Sequence, residues 1–222
     1  MRFHPELNGA KKLLVVPLLA TTGLGLLMLP GALRLSKLRY RRTSVDGVVN
    51  MKDAVEACRR SGLQNWELVT FAQQLVARKF AIYSTLNLWD PPGRAFIYGM
   101  GYCTQYNLAL RQILRRLGFQ TAAVFAFRTR FFDNEEWTMG HTWLRVTIDG
   151  ETRDVCAGRV DNEPDKVHFV PLSSVHNGRP LVMFLTHLGL IHFMGFLEWK
   201  ALLARTEPPS WAYAEQQLEE RQ

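Results

Sequence analysis

Hydrophobic and polar positions divide this chain into stretches of clearly different period. Between Leu13 and Leu29 no charge interrupts the apolar run, and the apolar residues take no preferred side. A second apolar stretch, Leu181 to Leu197, is broken only by polar residues such as His187 and His192 before Glu198-Trp199-Lys200 closes it. Between these two, Leu108, Leu110, Ile113, Leu114 and Leu117 recur at helical spacing until Gly118 stops the run. His141 to Ile148 then alternates polar and apolar residues and meets Asp149-Gly150, a hairpin turn signal. Helices are expected from Asp53 through Ser84, followed by a loop around Trp89-Asp90-Pro91-Pro92-Gly93 that borders the cleft or packs its own turn. Helices followed by antiparallel strands predict an α+β domain.

Chemistry concentrates at the junctions of these elements. Cys103 follows Gly101-Tyr102 and opens the central helix, where unsatisfied N–H groups and the positive end of the helix dipole favour a thiolate. His141 starts the alternating strand and shares a face with Trp143 and Arg145, while Thr142, Leu144, Val146 and Ile148 form the face expected to meet the core. Asp154 lies on the return strand. Thiol, imidazole and carboxylate are the parts of a nucleophile activated by an oriented base. Each also has an ordinary reading: a small buried residue at a helix start, a hydrogen-bonded surface histidine, and a salt bridge between Asp154 and Arg145.

Register separates these readings for Asp154. A strict two-residue turn sets Asp154 opposite Arg145, four residues and roughly 13 Å along the strand from His141, beyond hydrogen-bond range. A four-residue loop over Thr147 to Gly150 sets it opposite Trp143 and diagonal to His141. A catalytic Asp154 therefore requires a longer loop or a bulge.

Gly-Tyr-Cys-Thr-Gln-Tyr-Asn with its Leu117-Gly118 end, a strand over Thr121 to Arg130, His141-Thr-Trp-Leu-Arg-Val and Asp154 together resemble the core of the transglutaminase-like superfamily. The resemblance spans Trp66 to Gly158. It implies a papain-like core, with a helical N-terminal part and the nucleophile at a helix N-terminus packed on a small antiparallel sheet. It further implies a Cys103, His141, Asp154 triad and a thioester formed from a protein or peptide amide, resolved by water or by an amine. No cofactor or metal is called for. Two other cysteine families give poorer matches: cell-wall peptidases set their cysteine in Asp-Cys-Ser-Gly, and arylamine N-acetyltransferases in Arg-Gly-Gly, neither of which is present. A silent scaffold or binding module of the same fold at a membrane is the contrasting reading.

With 222 residues and 47% hydrophobic composition, the chain has material for one core. The expected organisation is an apolar segment and basic linker over 1–43, the domain over 44–206 with its C-terminal apolar helix, and a charged tail over 207–222. The first apolar segment, extended to Leu33, is long enough to span a bilayer. Pro30-Gly31-Ala32, ahead of the basic residues, is a poor cleavage site, so a cleaved leader fits less well. The basic residues behind it, Arg34, Lys37, Arg39, Arg41 and Arg42, outnumber Arg2, Lys11 and Lys12 ahead of it, which places the domain on the cytoplasmic side of a membrane. A helix docked on the domain is the alternative. The Leu181 to Leu197 stretch reads as a core or interfacial helix, and its histidines, five apart, do not form a metal pair.

Net charge is +7, and no nucleic-acid module accompanies it; attraction to anionic lipid is the simpler account of the basic cluster. Three cysteines give no disulfide framework and suit a reducing compartment. Cys156 competes with Cys103 for the role of nucleophile but has no helix terminus before it.

Overall fold

The computed structural model describes residues 22–34, 41–132, 134–207, 209 and 212–215. Its elements run in the order α1 (helical over 22–34), α2 (Met51–Arg60), α3 (Asn65–Lys79), β1 (Ile82–Ser84), α4 (Pro92–Tyr98), β2 (Met100–Gly101) and α5 (Cys103–Arg116). The chain continues with β3 (Gln120–Phe131), β4 (Asn134–Ile148), β5 (Glu151–Val155), β6 (Phe169–Pro171), β7 (His176–Asn177), α6 (Pro180–Ala204) and β8 (Tyr213–Glu215). This is an α+β arrangement as expected, with most helices ahead of an antiparallel main sheet. The short strands β1, at the end of the expected helical stretch, and β2 nevertheless lie among the helices as a parallel pair, and α6 follows the sheet.

Helix α5 is the hub. It packs against α2, α3 and α4 on one side and against β3 and β4 on the other. Ala109, Leu110, Ile113 and Leu114 are completely buried, and Gly118, at φ +97°, turns the chain out of the helix at the position its sequence predicts. The main sheet has the order β5-β4-β3-β6, with β7 also pairing with β3, and is antiparallel throughout. A smaller sheet, β2-β1-β8, lies beside the start of α5.

Two features of β4 depart from expectation. The strand begins at Asn134, so His141 sits in its middle rather than near its start. Both of its faces are covered as well: Trp143 and Leu144 are each fully buried, because Phe169 of β6 packs on the His141 and Trp143 rings at 4.6 and 5.1 Å between centroids. The face read as the more polar one is thus a second part of the core.

The β4–β5 turn is tight. Asp149 and Gly150 both have positive φ, 50° and 85°, the signature of a two-residue hairpin turn, and Ile148 pairs with Glu151. Counting back, Arg145 pairs with Asp154. The longer loop required by a catalytic Asp154 is absent.

Of the first apolar segment, residues 13–21 lie outside the described residues. The remainder, α1, docks on α6: the Trp199 indole N–H donates to the Leu26 carbonyl at 3.0 Å, and Arg34 reaches Glu198 at 2.9 Å and Glu207 at 2.7 Å. Helix α6 is long and apolar enough to cross a membrane by length and composition, with a mean hydropathy of 1.7 over its most apolar window, of which only 11% is buried. The expectation of a core helix is therefore met along one side only.

Candidate active site

Cys103 and His141 open onto one cavity of about 400 Å³, walled by Tyr102, Phe125, Phe127, Met139, Met183 and Leu190 among others. The cysteine is placed by a fixed helix start. Tyr102 has extended backbone, and its N–H donates to the Gln105 side-chain oxygen at 3.1 Å. The Gln105 amide nitrogen in turn donates to the carbonyls of Asn87 and Asp90, both at 2.9 Å, which locks the first turn of α5 to the loop before α4. Gly101 is required for this closeness: a Cβ there would lie 2.6 Å from Gln105 Oε1 and 3.0 Å from the Phe80 ring. The Trp89 loop touches the site through these backbone carbonyls, while Trp89 itself stays 41% exposed.

Burial governs the thiol. Cys103 is only 7% exposed, and this pushes its pKa above the ordinary value, against the lowering effect of the Thr142 backbone and the Thr104 side chain. The thiolate expected from the helix terminus is outweighed by desolvation. Thr104 and Thr142 bracket the sulfur, with their hydroxyls 3.2 Å apart.

Burial acts on His141 in the same sense. It holds the imidazole down at about 3, helped by the nearby His168 ring, so the base is neutral at ordinary pH. Its Nε2 lies 3.3 Å from Cys156 Sγ. Cys156, whose thiol burial pushes up to about 12, occupies the place beside the imidazole that a triad gives to a carboxylate.

Asp154 is elsewhere. Its carboxylate pairs with Arg145 Nε at 3.1 Å, half-exposed on the outer part of the sheet, and its N–H donates to Asp165 at 2.8 Å. The structure brings Cys103 and His141 to one cavity and leaves Asp154 in the salt bridge that the tight turn dictates.

Sequence reasoning missed the residue that organises this region. Asn107, one turn into α5 and fully buried, donates to the Thr142 carbonyl at 2.7 Å and accepts the Ala157 N–H at 3.0 Å. Its amide also approaches Cys156 Sγ at 3.6 Å. One side chain thus ties the helix bearing Cys103 to the strand bearing His141 and to the end of β5. The signal was available: an amide on the apolar side of a core helix must find partners. A second missed contact lies at the cavity roof, where the Tyr102 hydroxyl and His187 Nδ1 of α6 are 2.6 Å apart.

Fold and site define a papain-like α+β protein with a cysteine at a helix start and a histidine on the adjoining sheet. A family model described as N-acetyltransferase matches residues 99–159, the stretch that holds Cys103, His141 and Cys156. No curated protein matches the chain. The match corrects the transglutaminase resemblance, which rested on a motif order that both kinds of cysteine site use. It also outweighs the objection drawn from the missing Arg-Gly-Gly; Gly101, two places before Cys103, is a position at which a side chain has no room. The chemistry that the match supports is acyl transfer, with nothing to indicate a peptide partner.

Proposed function

We propose that this chain transfers an acyl group from a thioester donor to an amine, with Cys103 carrying the acyl group between them. The observation that carries this reading is the opening of Cys103 and His141, both in the segment that matches the N-acetyltransferase model, onto one cavity.

Both groups rest neutral, so the proton moves as attack occurs rather than before it. His141 Nε2 and Cys156 Sγ are within hydrogen-bond range, and in the tautomer whose Nε2–H donates to the sulfur, Nδ1 keeps its lone pair and serves as general base. Cys103 attacks the donor carbonyl, His141 takes the thiol proton, and the donor's sulfur leaves with that proton as a free thiol. An amine then attacks the Cys103 thioester; its surplus proton passes through His141 to the departing Cys103 sulfur, which restores the starting thiol. First-turn N–H groups of α5 suit the oxyanion of each tetrahedral intermediate. A neutral thiol, which can donate as well as accept, fixes this tautomer less firmly than a carboxylate and stabilises the imidazolium less, which is consistent with an imidazole that stays neutral at rest.

The test is intact-protein mass spectrometry after incubation with acyl thioesters, followed by addition of an amine. One acyl mass on Cys103, absent in Cys103→Ser and in His141→Ala, and discharged by amine, supports the reading. Absence of a Cys103 adduct from every thioester overturns it in favour of a silent scaffold.

A further inference from the structure

Helix α6 presents two different apolar faces. At 3.6 residues per turn, Met183, Thr186, His187 and Leu190 fall on one side, and these residues line the cysteine cavity. Leu181, Leu185, Phe196 and Leu203 fall on the opposite side, at 68%, 56%, 64% and 77% exposure. Phe193 stands between the two faces and, with Phe127, is both a wall of the cavity and more than half exposed, so the mouth of the cavity is itself apolar. Helix α1, docked alongside, adds Leu26, Leu29 and Leu33 to the outward surface. Exposed apolar side chains gathered on two adjacent helices in this way mark an interaction site.

The charge pattern indicates what covers it. Between Glu6 and Asp46 the chain contains no acidic residue, whereas Arg34 ends α1 and Lys37, Arg39, Arg41 and Arg42 follow it in the sequence. Arg34 is engaged with Glu198 and Glu207, but Arg41 and Arg42 are exposed. An apolar helix face beside a basic cluster is the arrangement that binds anionic lipid surfaces. The uncharged residues from Leu13 onward, which lead into α1, extend the apolar character along the chain. The cavity, far larger than an acetyl group needs and walled by Phe, Met and Leu, suits an apolar chain.

We infer that α1 and α6 rest on an anionic lipid bilayer and that the cavity mouth at Phe127 and Phe193 takes the acyl chain of a long-chain thioester from that surface. The substrate half of this inference rests on the acyl-transfer reading above; the docking half does not. A soluble short-chain donor would need neither an apolar mouth nor an exposed apolar helix around it.

Full-length protein is floated with vesicles of phosphatidylcholine alone and of equimolar phosphatidylcholine and phosphatidylglycerol, and Cys103 acylation is compared between acetyl and palmitoyl thioesters. Expected results are flotation with the anionic vesicles, its weakening by high salt, its loss in the Leu185→Glu, Phe196→Glu double variant, and faster labelling by the palmitoyl donor. The salt dependence is read on the unaltered protein, so a double variant that fails to fold does not remove the test. Failure to float overturns the docking, as does a dimer that the same double variant dissociates, which would make a second copy the partner. Faster labelling by the acetyl donor overturns chain uptake. Flotation without labelling by either donor supports docking and overturns the acyl-transfer reading alone.

Discussion

His141 Nε2 lies 3.3 Å from Cys156 Sγ, and that pairing, rather than one with a carboxylate, defines the resting state of the site. A carboxylate there would draw positive charge onto the imidazole. A neutral thiol leaves it to the desolvation that holds it at about 3. Cys156→Asp should therefore raise the His141 pKa and move the acidic limb of the Cys103 acylation rate upward in pH. Cys156→Ser, which keeps a donor and acceptor in place, should leave the acylation rate within a factor of a few. An unmoved acidic limb in the aspartate variant would show that Cys156 does not contact the base in solution.

Asp154 should be dispensable. Its bond to Arg145 is half-exposed, and such pairs contribute at most about 1 kcal/mol. Asp154→Asn is expected to leave Cys103 acylation unchanged and stability altered by about 0.5 kcal/mol or less, as read by urea denaturation. A large loss of activity would restore the carboxylate to the mechanism.

Cys103 should be a slow thiol. Because burial raises its pKa, iodoacetamide alkylation near neutral pH is expected to lag behind a free cysteine and to accelerate only in the alkaline range. Mass spectrometry of the alkylated peptide gives the rate. Fast alkylation at pH 6 that disappears in His141→Ala would demonstrate a resting thiolate–imidazolium pair and contradict the neutral site described here.

Stability should fall at both ends of the pH range. His141 has a folded pKa near 3 against 6.5 for the ordinary group, so the unfolded chain binds the proton more readily and stability is lost as pH drops from about 6.5 towards 3. Cys156 has a folded pKa near 12 against 9.0, so the unfolded chain releases its proton first and stability is lost as pH climbs above about 9. Thermal unfolding against pH reads both limbs. His141→Gln should flatten the acidic limb, and an unchanged limb would assign it to other groups.

The Gly101 position tests how the helix start is held. Gly101→Ala places a methyl 2.6 Å from Gln105 Oε1 and 3.0 Å from Phe80, within a packed core. A loss of about 1–3 kcal/mol is expected, with reduced acylation because Cys103 shifts with the first turn. Asn107→Leu should cost at least as much. It strands the Thr142 carbonyl and the Ala157 N–H, and its effect on the acylation rate should exceed that of Gly101→Ala, since it uncouples Cys103 from His141.

The sequence by itself determined the α+β order, the central helix from Cys103 to its glycine stop, and the tight turn at Asp149-Gly150. Each of these follows from local rules: the 3.6-residue spacing of Leu110, Ile113 and Leu114, and a dipeptide that accepts positive φ at both positions. It also singled out Cys103 and His141, because reactive groups at a helix start and on a strand are legible from position alone. The partner of His141 was decided only by the tertiary structure. In sequence Cys156 is a small residue two places from a more conspicuous aspartate. It reaches the imidazole because β5 ends at Val155 and Asn107, from another element, accepts the Ala157 N–H just beyond it. The resting charge of the site was likewise a matter of depth: the helix terminus argues for a thiolate, and only the enclosure formed by β3, β4 and α6 makes desolvation the larger effect. The two sides of α6 belong to the same category. Its composition is apolar all round, and which face covers a cysteine and which faces outward depends on where the chain brings the helix back beside the cavity.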